Sequence, residues 1–64
     1  MDQINIGTST GGIGARLREG RMSKNYSLEH LAIATGLTEA EIAAVEDGTS
    51  HDPQHVERIE HALG

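Results

Sequence analysis

The stretch from Ser27 to Gly48 carries start and stop signals for two short helices separated by a tight turn. Ser27 is a residue type that caps helix N-termini, and apolar side chains at helical spacing follow it. Gly36 stands where the first helix must end, because glycine adopts the left-handed conformation at little cost. Thr38 and Glu41 form a T-x-x-E capping box, which opens a second helix that Gly48 ends. Two helices around a turn of about three to four residues are the arrangement of a helix-turn-helix, although an ordinary helical hairpin has the same spacing.

Helical periodicity extends to both sides of this stretch. Residues 13–23 carry apolar side chains on one face, and Asn25 is a suitable left-handed stop after them. Asp52 followed by Pro53 predicts the start of a last helix, because a capping side chain precedes a proline at the first helical position. The sequence therefore predicts an all-α fold, a small bundle of four to five helices. Their shared core is expected to contain Ile13, Leu17, Leu31, Ala32, Leu37, Ile42, Val45, Val56, Ile59 and Leu63.

The first twelve residues, M-D-Q-I-N-I-G-T-S-T-G-G, are rich in glycine, serine and threonine and carry no basic side chain. We expect residues 1–12 to form a flexible N-terminal arm and residues 13–64 to form one helix-turn-helix domain. The glycine content resembles that of a phosphate-binding loop. However, the G-K-[ST] ending and a preceding buried strand are both lacking, so that interpretation is weak.

Size and composition argue against several classes of protein. A chain of 64 residues without cysteine has neither disulfides nor thiolate metal sites. It is also too small to enclose a pocket that would exclude water from a nucleophile, so we expect no enzyme and no cofactor. His51 and His55 are four residues apart, but His51 precedes the expected helix, so a solvated face is favoured over a metal site. No apolar run is long enough to span a membrane, and no signal peptide is evident, which predicts an intracellular, cytoplasmic protein.

Charge is distributed unevenly along the chain. The net charge is −5, whereas nucleic-acid-binding domains are usually basic. Four of the five basic residues are Arg16, Arg18, Arg21 and Lys24, and the second half of the chain is acidic. If the protein binds DNA, then Arg16, Arg18 and Lys24 must supply the phosphate contacts, helped by the helix N-termini at Ser27 and Thr38.

Residues 13–64 resemble the Cro/C1-type, or XRE, family of helix-turn-helix DNA-binding domains, which have the lambda repressor-like fold. The resemblance is carried by I-G-A-R-L-R-E-G-R, by S-L-E-H-L-A-I-A-T-G-L-T, by I-A-A-V-E-D-G and by P-Q-H-V-E-R-I-E-H-A-L-G. It implies a bacterial transcriptional regulator at the nucleoid, a homodimer that binds a two-fold operator in double-stranded DNA. The second helix of the motif, residues 38–46, would enter the major groove.

Carried over to this chain, the resemblance assigns residues to three roles. The base-facing positions are Thr38, Glu39, Ala40, Glu41 and Ala44. Further positions near phosphates are Leu28, Thr49, Ser50 and His51. Arg21 and Glu46 occupy positions that commonly form a partly buried ion pair in this family. The alternative role for Arg21 is that of a phosphate ligand, and we favour the ion pair because a buried carboxylate needs a partner.

Two departures from the family pattern leave a second function open. Glu39 and Glu41 stand where amides, hydroxyls and basic side chains are commoner, and Thr49–His51 holds no firm positive charge. Carboxylates oppose phosphate and serve in the groove mainly by accepting from cytosine N4. The alternative is therefore a protein-interaction module, antirepressor-like or an adaptor, that keeps the fold but has an acidic surface and binds a protein partner.

Overall fold

A computed structural model describes the backbone of residues 5–64 and the side chains of residues 12–64. This part of the chain contains four α-helices and no β-strand, so the fold class is all-α. The helices are α1 (Asn5–Ser23), α2 (Leu28–Thr35), α3 (Glu39–Glu46) and α4 (Pro53–Leu63). Within the described residues, no helix combines the length and apolar character needed to cross a membrane.

Helix α1 is interrupted at Gly12, whose φ of 48° and ψ of −145° are not helical. The helix predicted for residues 13–23 is the part of α1 that follows this interruption. Within the predicted arm of residues 1–12, the backbone of residues 5–11 is helical and residues 1–4 lie outside the described part of the chain. The flexibility of the arm stays a prediction. After α1 ends, Asn25 adopts a left-handed φ of 61°, as expected for a helix stop.

The caps of α2 and α4 are made by the side chains that the sequence predicts. The Ser27 hydroxyl accepts a hydrogen bond from the backbone N–H of His30 at 2.9 Å. At the start of α4, an oxygen of Asp52 accepts from the N–H of Gln54, also at 2.9 Å, and Pro53 is the first helical residue. Each cap satisfies a backbone donor that the helix itself leaves unpaired, which fixes where the helix begins.

The core lies where the four helices meet. Its buried apolar side chains come from all four helices and from the turn before α3: Leu17, Leu31, Leu37, Ile42, Val45 and Ile59. Tyr26, Leu28, Ala32, Val56, Ala62 and Leu63 are partly buried and pack against them. The predicted core is confirmed except at one position.

That exception is Ile13, which is 37% exposed. Helix α1 instead approaches α3 through Gly14, where an added β-carbon would lie 2.2 Å from the carbonyl oxygen of Val45. Periodicity placed Ile13 on the inward face, but Gly14 and Leu17 form the part of that face that contacts the bundle. A glycine there lets the two helix backbones come closer than any side chain would allow.

Candidate nucleic-acid interface

The turn between α2 and α3 is held by hydrogen bonds from its own residues. Gly36 adopts a φ of 79°, and its N–H donates to the carbonyl oxygen of Ala32 at 2.9 Å. The buried hydroxyl of Thr35 donates to the carbonyl of Leu31 at 2.6 Å and accepts from the N–H of Leu37 at 3.2 Å. These bonds satisfy the polar groups at the end of α2 and fix the direction in which α3 leaves it.

Helix α3 begins with a complete capping box. The hydroxyl of Thr38 accepts from the N–H of Glu41 at 3.0 Å, and a carboxylate oxygen of Glu41 accepts from the N–H of Thr38 at 2.9 Å. Because Glu41 is half-buried and bonded to the helix end, its carboxylate is engaged within the protein. The neighbouring Glu39 and Ala40 are exposed, so the first turn of α3 presents an unengaged carboxylate and a methyl group to solvent.

The loop after α3 folds its backbone donors back onto the helix. Ala44 is half-buried, and its carbonyl oxygen accepts hydrogen bonds from the N–H groups of Thr49 and Ser50 at 2.9 and 3.0 Å. A carboxylate oxygen of Asp47 accepts from the hydroxyl of Thr49 at 2.6 Å and from its N–H at 3.0 Å. These two bonds from Thr49 hold the pKa of the Asp47 carboxyl below its usual value of 3.8. Thr49 and Ser50 therefore have no backbone N–H to offer a phosphate. The polar side chains that remain there are the exposed His51 and the Ser50 hydroxyl, which accepts from the N–H of Asp52 at 3.4 Å and can still donate.

Arg21 and Glu46 lie in contact across the bundle. The Nε of Arg21 donates to one carboxylate oxygen of Glu46 at 2.7 Å, and Nη2 donates to the other at 3.0 Å. The third donor, Nη1, reaches the carbonyl oxygen of Tyr26 at 2.9 Å. The hydrogen bonds that Arg21 donates to Glu46 raise the pKa of Arg21, against the smaller opposing effect of burial. The side chain of Arg21 is 14% exposed and that of Glu46 is 6% exposed. The pair therefore holds α1 against α3 and, through Tyr26, against the segment before α2, and it leaves little of its charge exposed to a ligand.

The remaining residues assigned to phosphate contacts are placed differently from one another. Arg16, Arg18 and Lys24 are exposed. The hydroxyl of Ser27 is engaged in capping α2, although its proton remains free to donate. Leu28 is half-buried and packs against the core, so the start of α2 is anchored by an apolar side chain.

Histidines near α4 form no metal centre among the described residues. The Nε2 of His55 lies 3.7 Å from a carboxylate oxygen of Asp52, and His51 is exposed. No group of three or more potential ligands is found close enough to hold a metal ion in the part of the chain that is described.

Two residues that matter for this surface were not singled out by sequence reasoning. Gly14 gives α1 its close approach to α3, and its signal was a glycine three residues before Leu17, on the same helical face. Asp47 shapes the loop after α3, and its signal was the D-x-T spacing of a side chain that bonds the backbone two residues on.

Taken together, the N-cap and the exposed first turn of α3 offer a hydroxyl at Thr38, a carboxylate at Glu39 and a methyl group at Ala40. Such a surface can accept hydrogen bonds from amino groups and make apolar contact with methyl groups. No protein-family model, curated protein or solved structure matches this chain. Its function must therefore be inferred from its own residues.

Proposed function

We propose that this protein is a DNA-binding transcriptional regulator of the XRE, or Cro/C1, type. In this proposal α2, the turn and α3 act as a helix-turn-helix in a lambda repressor-like domain, and α3 enters the major groove. A homodimer would bind a two-fold operator in the bacterial cytoplasm. The observation that supports the proposal most strongly is the turn between α2 and α3. Hydrogen bonds hold this turn, and Glu39 and Ala40 in the first turn of α3 remain exposed to solvent.

The chemistry of α3 is compatible with reading base edges, although it is unusual. Glu39 can accept a hydrogen bond from the N4 amino group of cytosine, and Ala40 can contact the methyl group of thymine. Because Glu41 is held in the capping box, Glu39 is the acidic side chain of the first turn that can read a base. With few exposed cations, phosphate contacts are few, so we expect weak binding with a shallow dependence on salt.

The experiment that tests this proposal is selection of bound sequences from random duplex DNA at low salt. We expect enrichment of a two-fold symmetric sequence whose half-sites are about one helical turn apart, because each protomer would place one α3 in the groove. Failure to retain any duplex at the lowest salt would overturn the proposal.

A second candidate is a protein-interaction module that keeps the fold and binds a basic surface on another protein. The specific observation that favours it is the closed loop after α3. There, the N–H groups of Thr49 and Ser50 are used internally, and the carboxylate of Asp47 is exposed. Carboxylates at both ends of α3, Glu39 and Asp47, repel phosphate and attract lysine and arginine.

The two candidates differ in their response to a change at Glu39. For a protein-interaction module, Glu39→Gln would weaken binding to a basic partner and leave DNA binding undetectable. For a DNA-binding protein, the same change would increase the affinity for duplex DNA. Retention of the parent on heparin at low salt gives an early indication, because flow-through favours the protein-interaction module.

A further inference from the structure

Arg16 and Arg18 are both exposed on α1, but they face opposite sides of it. Residues two positions apart on an α-helix are separated by roughly 200° around its axis. They cannot belong to one continuous basic surface on a single side of α1, and at most one of them can face a ligand bound on that side.

The surroundings of Arg18 show which side it occupies. Arg18 lines a groove whose other walls include Leu28, at the start of α2, and Ala43, on α3. It also borders a second groove, along α1, that includes Met22 and Glu46. Arg18 is therefore on the side of α1 that meets the start of α2 and the flank of α3, whereas Arg16 lines neither groove.

Within the first groove, Arg18 is the cation that remains available. Arg21 also lines it, but its charge is paired with Glu46, and each of its three guanidinium nitrogens already donates a hydrogen bond to Glu46 or to the carbonyl of Tyr26. Among residues 12–64, no carboxylate lies within salt-bridge distance of Arg18. Asp47 shares the groove, so the local field is mixed, and Arg18 is the group there that can attract an anion.

We infer that Arg18, and not Arg16, contacts a backbone phosphate of the bound duplex. This inference rests on the proposed function, because it requires the start of α2 and the flank of α3 to face DNA. A duplex whose major groove holds α3 would run its backbone past the start of α2, and Arg18 stands beside Leu28 at that edge. Arg16 would point away from the same duplex, so the inference departs from the sequence-based expectation that both arginines contact phosphates.

The two arginines provide a matched pair of variants for the test. Arg18→Gln and Arg16→Gln remove the same charge from the same helix, and both positions are exposed, so both variants should melt within a few degrees of the parent. Binding of each protein to a random-sequence duplex is titrated at several salt concentrations. For Arg18→Gln we expect a loss of about three- to tenfold at low salt, and a salt slope shallower by about 0.9 per protomer, because one phosphate contact is lost. Arg16→Gln should keep the parental slope, and Arg18→Lys should restore most of the lost slope.

Equal losses of slope in the two glutamine variants would overturn the inference while leaving the proposed function intact. So would a greater loss in Arg16→Gln. Absence of binding by the parent at the lowest salt would overturn both the inference and the proposed function.

Discussion

Helix α1 packs against α3 at Gly14 so closely that a β-carbon there would lie 2.2 Å from the carbonyl oxygen of Val45 and 2.9 Å from that of Glu46. Both neighbours are backbone atoms, so neither can rotate away as a side chain would. Gly14→Ala therefore requires the two helices to separate. Gly20, on the same helix, is a matched control, because a β-carbon there would meet only Leu63 Cδ1, at an ordinary contact distance of 3.4 Å.

The size of the effect follows from two opposing contributions. Opening the contact at Gly14 to an allowed distance is an overpacking change, which costs about 1–3 kcal/mol. Replacing a helical glycine by alanine gains up to about 1 kcal/mol in helix propensity. Because the contact at Gly14 would be 2.2 Å to a backbone atom, its cost lies at the upper end of that range, about 2–3 kcal/mol, and a gain of about 1 kcal/mol leaves a net loss of about 1–2 kcal/mol. Gly20→Ala should retain most of the gain.

Thermal unfolding followed by circular dichroism measures both variants. For a domain of this size, 1 kcal/mol corresponds to roughly 4–8 °C, so the two variants should differ in Tm by about 10–20 °C, with Gly14→Ala below the parent. If Gly14→Ala melts at or above the parent, or if Gly20→Ala falls as far, then the close approach of α1 to α3 is not as described.

Three further predictions concern the core, the ion pair and the loop after α3. Leu31 is fully buried, so Leu31→Ala should lower the free energy of unfolding by about 2–5 kcal/mol, enough to unfold much of the population. A chemical-denaturation midpoint near that of the parent would contradict the core assignment. Arg21→Ala and Glu46→Ala should each lower stability, and the double variant should lose less than their sum by about 0.5–3 kcal/mol; strict additivity in this cycle would show that the side chains do not interact. Because Thr49 holds the pKa of Asp47 below 3.8, ionised Asp47 favours the folded state above that pH, and its contribution is lost as the pH falls through the lower folded value. The free energy of unfolding, measured from pH 5 downward, should therefore fall less steeply in Asp47→Asn than in the parent. Equal slopes for the two proteins over this pH range would show that ionised Asp47 does not stabilise the folded state.

The helix boundaries could be predicted because their signals are local. Ser27, Thr38 and Asp52 cap helices through bonds to a backbone N–H two or three residues on, and Gly36 adopts the left-handed conformation that ends α2. Each of these contacts lies within a few residues of sequence, so residue type and spacing suffice to indicate it.

The packing of α1 could not be predicted in the same way. Apolar periodicity favours Ile13 as a core residue, because periodicity reports the hydrophobicity of a face and not the distance to the next helix. The structure brings Gly14 against α3 instead and leaves Ile13 partly exposed. The absence of a side chain is what creates this contact, and a search for apolar residues does not detect it.

The candidate site shows the same division between local and tertiary information. The sequence indicates that Glu41 belongs to a capping box, but only the structure shows that the N–H groups of Thr49 and Ser50 donate to the carbonyl oxygen of Ala44. Likewise, the cluster of basic residues in the sequence becomes two separate surfaces once the helix carries Arg18 toward α3.

We propose that the exposed face of α3 binds DNA, and the most direct test is a salt titration of duplex binding by three proteins: the parent, Glu39→Gln and Glu60→Gln. Glu60 is exposed on α4, so its variant carries the same charge change away from α3. We predict that Glu39→Gln binds random duplex more tightly than the parent. It should also discriminate less between sequences, because the carboxylate no longer requires a cytosine amino group opposite it. Glu60→Gln should behave like the parent. Absence of binding by all three proteins at the lowest salt, or equal gains in the two variants, would contradict the claim that α3 faces DNA.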